Sequence, residues 1–344
     1  MTASAPLLGH TLGDPAGVGP EITLKALAEP EVRRAARNVI LGDAAIVERT
    51  AADLGLDLKI RRVTDPADVP TPDGTNVVYA LHVGDAGPVE PGVVHERHGR
   101  AAVAAVGAAC ALAVEGRLDG IVTAPLNKEA IKAAGSPYPG HTEMLAELLG
   151  VGRGDVVTVF VLDRLRIFFL TRHLPLARAI AELSVEQVRD GLVRTDELLG
   201  ELGFTDPTVA LAALNPHAGE NGLLGGEENA ILGPAVEAAR AAGVNAVGPV
   251  PADAVFHQAR HGKYDGVVSL YHDQGHIAAK TLDFFGTVSC TLGLPVLRTS
   301  VDHGTAFDIA GQGIADPGGQ VRAVLLAAEL APRVLDVRGR RPAR

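Results

Sequence analysis

The chain has 344 residues, 47% of them hydrophobic, and a net charge of −10, which suits one large α/β unit or two domains with an ample core and argues against disorder. Aromatics are only 3% and Trp is absent, so the core must be built from Ala, Val, Leu and Ile. The acidic balance, with only a brief basic tail at 338–344, argues against nucleic acid as a partner, and no apolar run has the length and flanks of a membrane span.

Cys110 and Cys290 are the only cysteines, too few and too distant for a disulfide framework or a thiolate metal site. Met1 to His10 has no basic region and no long apolar run. A secretory leader is therefore not expected, and the expected location is the cytoplasm.

Short apolar runs alternate with amphipathic ones. A first strand is expected ahead of Gly13, because Gly13-Asp14-Pro15-Ala16-Gly17-Val18-Gly19-Pro20-Glu21 opens a helix over Glu21–Leu27. Its glycines permit a tight turn and close backbone approach, and the helix start favours anions; a plain strand-to-helix turn is an equal reading. Strands are expected over 38–41, 76–81 and 120–123, helices over 44–54 and 95–115, and a Pro-rich loop over 66–74. Further strands are expected over 156–162, 167–170, 209–214 and 266–270, with helices over 185–202, 227–242 and 320–330. Ser184 reads as a helix start and Gly243 as a stop. This alternation predicts an α/β fold with mostly parallel sheets and helices on both faces.

Pro139-Gly140-His141-Thr142-Glu143 precedes a short helix. His141 or Thr142 could cap it, or could face a phosphate or carboxylate. His173, His217 and His272 each follow an expected strand, where open α/β sheets place ligands. One such histidine is more often structural. Three at equivalent positions point to a metal, for which imidazole suits zinc, cobalt, nickel or iron better than magnesium or manganese.

The densest stretch is Tyr271-His272-Asp273-Gln274-Gly275-His276-Ile277, followed by Lys280 and Arg298. The two cations suit an anionic substrate, and a lysine beside a metal and another cation can serve as a base. Residues 297–311, with His303-Gly304-Thr305-Ala306-Phe307-Asp308, read as a loop opening a short helix and able to offer its amides to a dinucleotide.

Together these segments, running from Gly13 to Asp316, resemble the 4-hydroxythreonine-4-phosphate dehydrogenase family of pyridoxal-phosphate biosynthesis. The shared motifs include Gly140-His141-Thr142-Glu143, Asn215-Pro216-His217-Ala218-Gly219-Glu220, Tyr271-His272-Asp273-Gln274-Gly275 and Leu294 to Ala306. The 303–311 run is also similar to the cofactor loop of isopropylmalate and isocitrate dehydrogenases.

The resemblance implies that two-domain fold, with residues 1–125 plus 290–344 carrying the cofactor loop and residues 126–289 carrying the metal ligands and dimer contacts around a cleft. It implies NAD, or NADP, held by His303, Gly304, Thr305, Ala306 and Asp308. It implies a divalent metal, zinc foremost, with magnesium, manganese, cobalt or nickel as alternatives, on His173, His217 and His272 from both subunits of a homodimer. His141, Thr142, Lys280 and Arg298 would contact substrate, and Lys280 and Asp273 would move the proton.

Two departures bear on the substrate. Ser289 stands where the family has Asn, and Gly275-His276-Ile277 replaces the usual Gly-Leu. The latter resembles the catabolic branch that oxidises 4-phospho-D-threonate or 4-phospho-D-erythronate with decarboxylation. Alternatives are the pyridoxal-phosphate biosynthetic activity and the terephthalate-type cis-dihydrodiol carboxylate dehydrogenases.

Overall fold

The computed structural model describes residues 5–339. Most of the basic tail expected at 338–344, and the first four residues of the chain, lie outside the described residues. In chain order the strands are β1 Leu7–Thr11, β2 Arg37–Gly42, β3 Lys59–Val63, β4 Val77–His82, β5 Gly120–Thr123 and β6 Val157–Leu162. They continue as β7 Leu165–Phe169, β8 Val209–Ala212, β9 Ala246–Val250, β10 Gly266–Ser269, β11 Val288–Leu292 and β12 Leu297–Val301.

Packing divides the chain into a terminal unit, residues up to Val156 and from Val288 onward, and a central unit from Val157 to Thr287. The central unit thus starts later than the expected residue 126. The reason is the packing of helices Lys128–Ala133 and His141–Leu148 on the long helix Glu96–Val114. Met144, Leu145 and Leu149 share one core with Val39, Val106 and Ile121. His141 and Thr142 therefore belong with the terminal unit.

In the terminal unit the strands run in the order β3-β4-β2-β1-β5-β12-β11. All neighbours are parallel except the antiparallel pair β11 and β12. β1 and β5 are buried along their whole length, as the continuous apolar runs of parallel strands require. β3 was not expected: Lys59, Arg61 and Arg62 give it no apolar alternation, and such cations suit a sheet edge. β11 and β12 were also not expected, since Ser289, Thr291, Arg298, Thr299 and Ser300 are polar, yet both strands are fully buried.

In the central unit the order is β6-β7-β10-β8-β9, with β6 and β7 antiparallel and the rest parallel. Ser184 caps helix Val185–Glu201 by accepting from the Gln187 amide, and helix Gly233–Ala241 stops before Gly243, at φ 98°. The short helix expected after His303 is instead a series of turns, and helix resumes only at Gly318–Val337. Among the described residues no helix is long and apolar enough to cross a membrane.

Candidate active site

Three adjacent parallel strands of the central unit end at one edge of its sheet: β7, β10 and β8, registered Phe169 against Ser269 and Val268 against Leu211. His173, His272 and His217 follow those three ends. None is a buried structural histidine: the His217 side chain is 72% exposed and that of His272 39%. The His173 and His272 rings lie 6.1 Å apart between centroids. His217 Nδ1 lies 3.9 Å from Glu220 Oε2. Among the described residues no three His, Cys, Asp or Glu side chains form a cluster that could hold an ion.

His272 opens helix His272–Leu282, where His272, His276 and Lys280 recur every fourth residue on one face. The His276 ring stacks on His272 at 3.6 Å and packs edge-on against Phe160. Asp273 Oδ1 lies 2.6 Å from His272 Nδ1, which leaves Nε2 as the free lone pair when that contact fixes the tautomer. Gln274 ties two strand ends together: its side chain accepts from the Leu270 amide and donates to the Ala213 carbonyl. Lys280 is half-buried, with its Nζ 4.9 Å from the centre of the Phe284 ring.

In the terminal unit, Arg298 of β12 is buried to 6% exposure. Its Nε and Nη2 donate to Thr123 Oγ1 at 3.0 and 2.7 Å, and Nη1 donates to Thr291 Oγ1 at 3.0 Å. One bond per nitrogen leaves an N–H on each terminal nitrogen unused, since a guanidinium carries five. Among the described residues no carboxylate pairs with it. Burial alone draws its pKa down to about 10.

His141 sits close enough to feel that charge. Burial, then the Arg298 cation, hold its pKa well below the usual imidazole value, and its Nε2 is buried with no partner. Gly140 occupies the cap position of helix His141–Leu148 and no side chain caps it, so neither His141 nor Thr142 serves as the expected cap. Ser289 is opposite Ser300, as Thr291 is opposite Arg298, so all four lie on one face of the β11–β12 pair.

The 303–311 segment packs under the first glycine-rich turn. The Val18 amide donates to the Thr305 carbonyl at 3.0 Å. A Cβ at Gly17 would come within 2.8 Å of that oxygen, so only glycine fits there. Ala306 takes φ 43°, His303 Nδ1 meets the Gly304 carbonyl oxygen, and Asp308 is exposed. Gly311 and Gln312 line a cavity of about 370 Å³ with Gly17, Glu21, Arg49 and Asp53.

Comparison with known proteins decides the family. The model of the pyridoxal phosphate biosynthetic protein PdxA matches residues 34–327. The chain belongs to the PdxA family. A Cutibacterium acnes protein provisionally named D-threonate 4-phosphate dehydrogenase is 50% identical over 95% of this chain and 94% of its own length. The solved 4-hydroxythreonine-4-phosphate dehydrogenase of Klebsiella pneumoniae is 40% identical, with TM-score 0.85, covering 96% of this chain and 99% of that one. A terephthalate 1,2-cis-dihydrodiol dehydrogenase from Burkholderia xenovorans is 31% identical, with TM-score 0.63 over 94% of this chain and 98% of that one.

Several residues of this PdxA-family site escape sequence reading. Thr123 reads as an ordinary strand former and Thr291 lies where no strand was expected, although a hydroxyl inside a fully buried strand is itself a signal. Gln274 carries no charge, and Glu228, buried to 4% exposure, reads as a first-turn acid.

Proposed function

We propose that the protein oxidises the 3-hydroxyl of 4-phospho-D-threonate or 4-phospho-D-erythronate with NAD and a divalent metal. The 3-oxo acid so formed is a β-keto acid, whose loss of CO2 leaves dihydroxyacetone phosphate. The observation that carries this reading is Arg298: a buried guanidinium bonded only to hydroxyls, beside an unpartnered imidazole nitrogen. A desolvated cation without a protein counter-charge is costly unless an anionic ligand pairs with it. A planar fork with spare N–H groups suits carboxylate or phosphate.

The donor set fits a divalent ion. His173, His217 and His272 hang from three neighbouring strand ends, and the Asp273 contact on His272 Nδ1 turns Nε2 into the ligating atom. A bound ion supplies Lewis acidity to the substrate hydroxyl, and NAD supplies the hydride acceptor. Lys280 then takes the hydroxyl proton. Asp273 lies seven residues earlier on the same helix, about 10 Å along its axis, so it orients His272 and reaches Lys280 only through water. Arg298, His141 and Thr142 hold the substrate anion, Ser289 lines its neighbour position, and His303, Gly304, Thr305, Ala306 and Asp308 receive the dinucleotide. Since among the described residues no three such side chains cluster in one chain, the reading includes an ion shared between two copies at a homodimer interface.

The relative at 50% identity favours the threonate, whose 2-substituent is a hydroxyl. A second reading, 4-hydroxythreonine-4-phosphate as substrate, draws on the Klebsiella structure. An NAD-reduction assay over both phosphorylated acids, 4-phospho-D-erythronate and a carboxylated dihydrodiol separates them. The threonate or erythronate should be turned over fastest. No NADH with any phosphorylated acid overturns the proposal, and full turnover after metal stripping removes the metal from it.

A further inference from the structure

The segment that carries His217 is held in an unfavourable backbone shape. His217, Ala218, Gly219, Glu220 and Asn221 take φ of 53°, 54°, 75°, 45° and 58°. Four of these five are not glycine, and each costs roughly 1–2 kcal/mol in that left-handed region. Such a turn persists only when surrounding groups over-determine it.

One carboxylate does this. Glu228 is 4% exposed. Its Oε1 accepts from the Leu214 and Asn215 amides at 3.0 and 2.7 Å, the first two backbone donors beyond Ala213 where β8 has ended. Its Oε2 accepts from the Asn215 side-chain amide at 2.9 Å, which also donates to Glu227 Oε2 at 2.8 Å. A Cβ at Gly219 would lie 2.8 Å from Glu228 Oε2, so the left-handed turn is packed directly on this carboxylate. Glu228 itself begins a π-helical stretch, Glu228–Leu232, a distortion that recurs at functional sites.

We infer that Glu228 is a positioning residue that fixes the His217 turn for metal binding, by replacing the strand partners that the backbone after β8 has lost. It touches neither substrate nor ion and acts through Asn215 and Gly219. This rests on the metal reading given above.

Zn²⁺ titration of the full-length protein by calorimetry tests it. Glu228→Gln keeps the size but turns an acceptor into a donor facing N–H groups; it should weaken Zn²⁺ binding roughly tenfold to a hundredfold. Gly219→Ala presses on the same carboxylate from the turn side, should act in the same direction, and decides the matter if the first variant does not fold. Val236→Ala, in the buried face of helix Gly233–Ala241, should lower thermal stability while leaving Zn²⁺ affinity unchanged. In Glu228→Gln the 214 and 215 amides should also exchange faster. Gly219→Ala and any folded Glu228→Gln that bind Zn²⁺ as tightly as the parent overturn the inference alone. A parent that binds none of Zn²⁺, Mg²⁺, Mn²⁺, Co²⁺ and Ni²⁺ overturns the metal reading and this inference with it.

Discussion

In the terminal unit Arg298 is 6% exposed and tied to two threonine hydroxyls, and His141 keeps a buried nitrogen without a partner. In the central unit the His217 side chain is 72% exposed and its backbone is left-handed, held from behind by Glu228. The first arrangement stores electrostatic stress: a charge already stripped of water, which in the proposed function pairs with an anion. The second stores conformational stress behind a solvated side chain, which in the proposed function takes up a cation. Preorganisation by burial and preorganisation by backbone constraint are different devices, and substitutions should separate them.

The largest effect is expected at Arg298. Arg298→Met keeps the length and apolar stem but deletes the buried charge. Catalytic efficiency should fall about a thousandfold, in line with the several kcal/mol that a desolvated charge contributes to pairing with a bound anion. Thermal stability without substrate should rise by a few degrees, because an uncompensated buried cation is removed. Loss of activity together with loss of stability would show that Arg298 is structural, and the contrast between the units would collapse.

Next comes Lys280, on the same helical face as His272 and His276. Lys280→Met should lower kcat by about a hundredfold or more, the usual worth of a positioned general base, with NAD and Zn²⁺ affinities little changed. An unchanged kcat would take Lys280 out of the proton transfer and leave the central unit with the proposed metal binding alone.

How far the sequence foretold this difference depends on what kind of stress each site stores. Strands buried on both faces were legible: Gly120–Thr123 was expected to the residue, because an apolar run bounded by polar residues has few other readings. His272, Asp273 and Lys280 stand out because charged groups crowd one stretch, and all three fall on one helix. The surroundings of Arg298 were not legible. Thr123 comes from β5, far from β11 and β12 in sequence, and only sheet register brings it and Thr291 to one guanidinium. The polar character of β11 and β12 argued against strands there for the same reason that it builds a site. The left-handed turn at 217–221 was likewise illegible, since Ala, Glu and Asn carry no signal for positive φ as strong as that of glycine.

Acid should reveal the imidazoles of the terminal unit. His10 is fully buried, and burial pulls its pKa from 6.5 down to about 4, against the opposing hydrogen bond to Asn38. The folded state therefore resists a proton that the unfolded chain accepts below 6.5. Stability from this group is fully present above pH 6.5 and is lost as the pH falls towards 4, by up to about 3 kcal/mol at roughly 1.4 kcal/mol per pH unit. His141 has the same sign. Denaturant midpoints between pH 7 and 4 should fall steeply, and His10→Gln should flatten that fall. An identical pH profile in the variant would show that His10 is not the group responsible.

The smallest effect is expected at Ser289, and it tests substrate choice rather than binding itself. Ser289 is 8% exposed, shares a strand face with Thr291, and lies across from Ser300. A serine hydroxyl can donate to a substrate hydroxyl or accept from it, whereas a longer amide reaches further and brings a carbonyl that suits an ammonium donor. Ser289→Asn should therefore shift the ratio of catalytic efficiencies from 4-phospho-D-threonate towards 4-hydroxythreonine-4-phosphate by about tenfold, some 1.4 kcal/mol of discrimination. Zn²⁺ affinity should stay constant, because the change is confined to the unit whose site is set by burial. Equal losses on both substrates would mean that the larger side chain only overpacks the pocket, and the discrimination would then have to come from groups other than this face of β11.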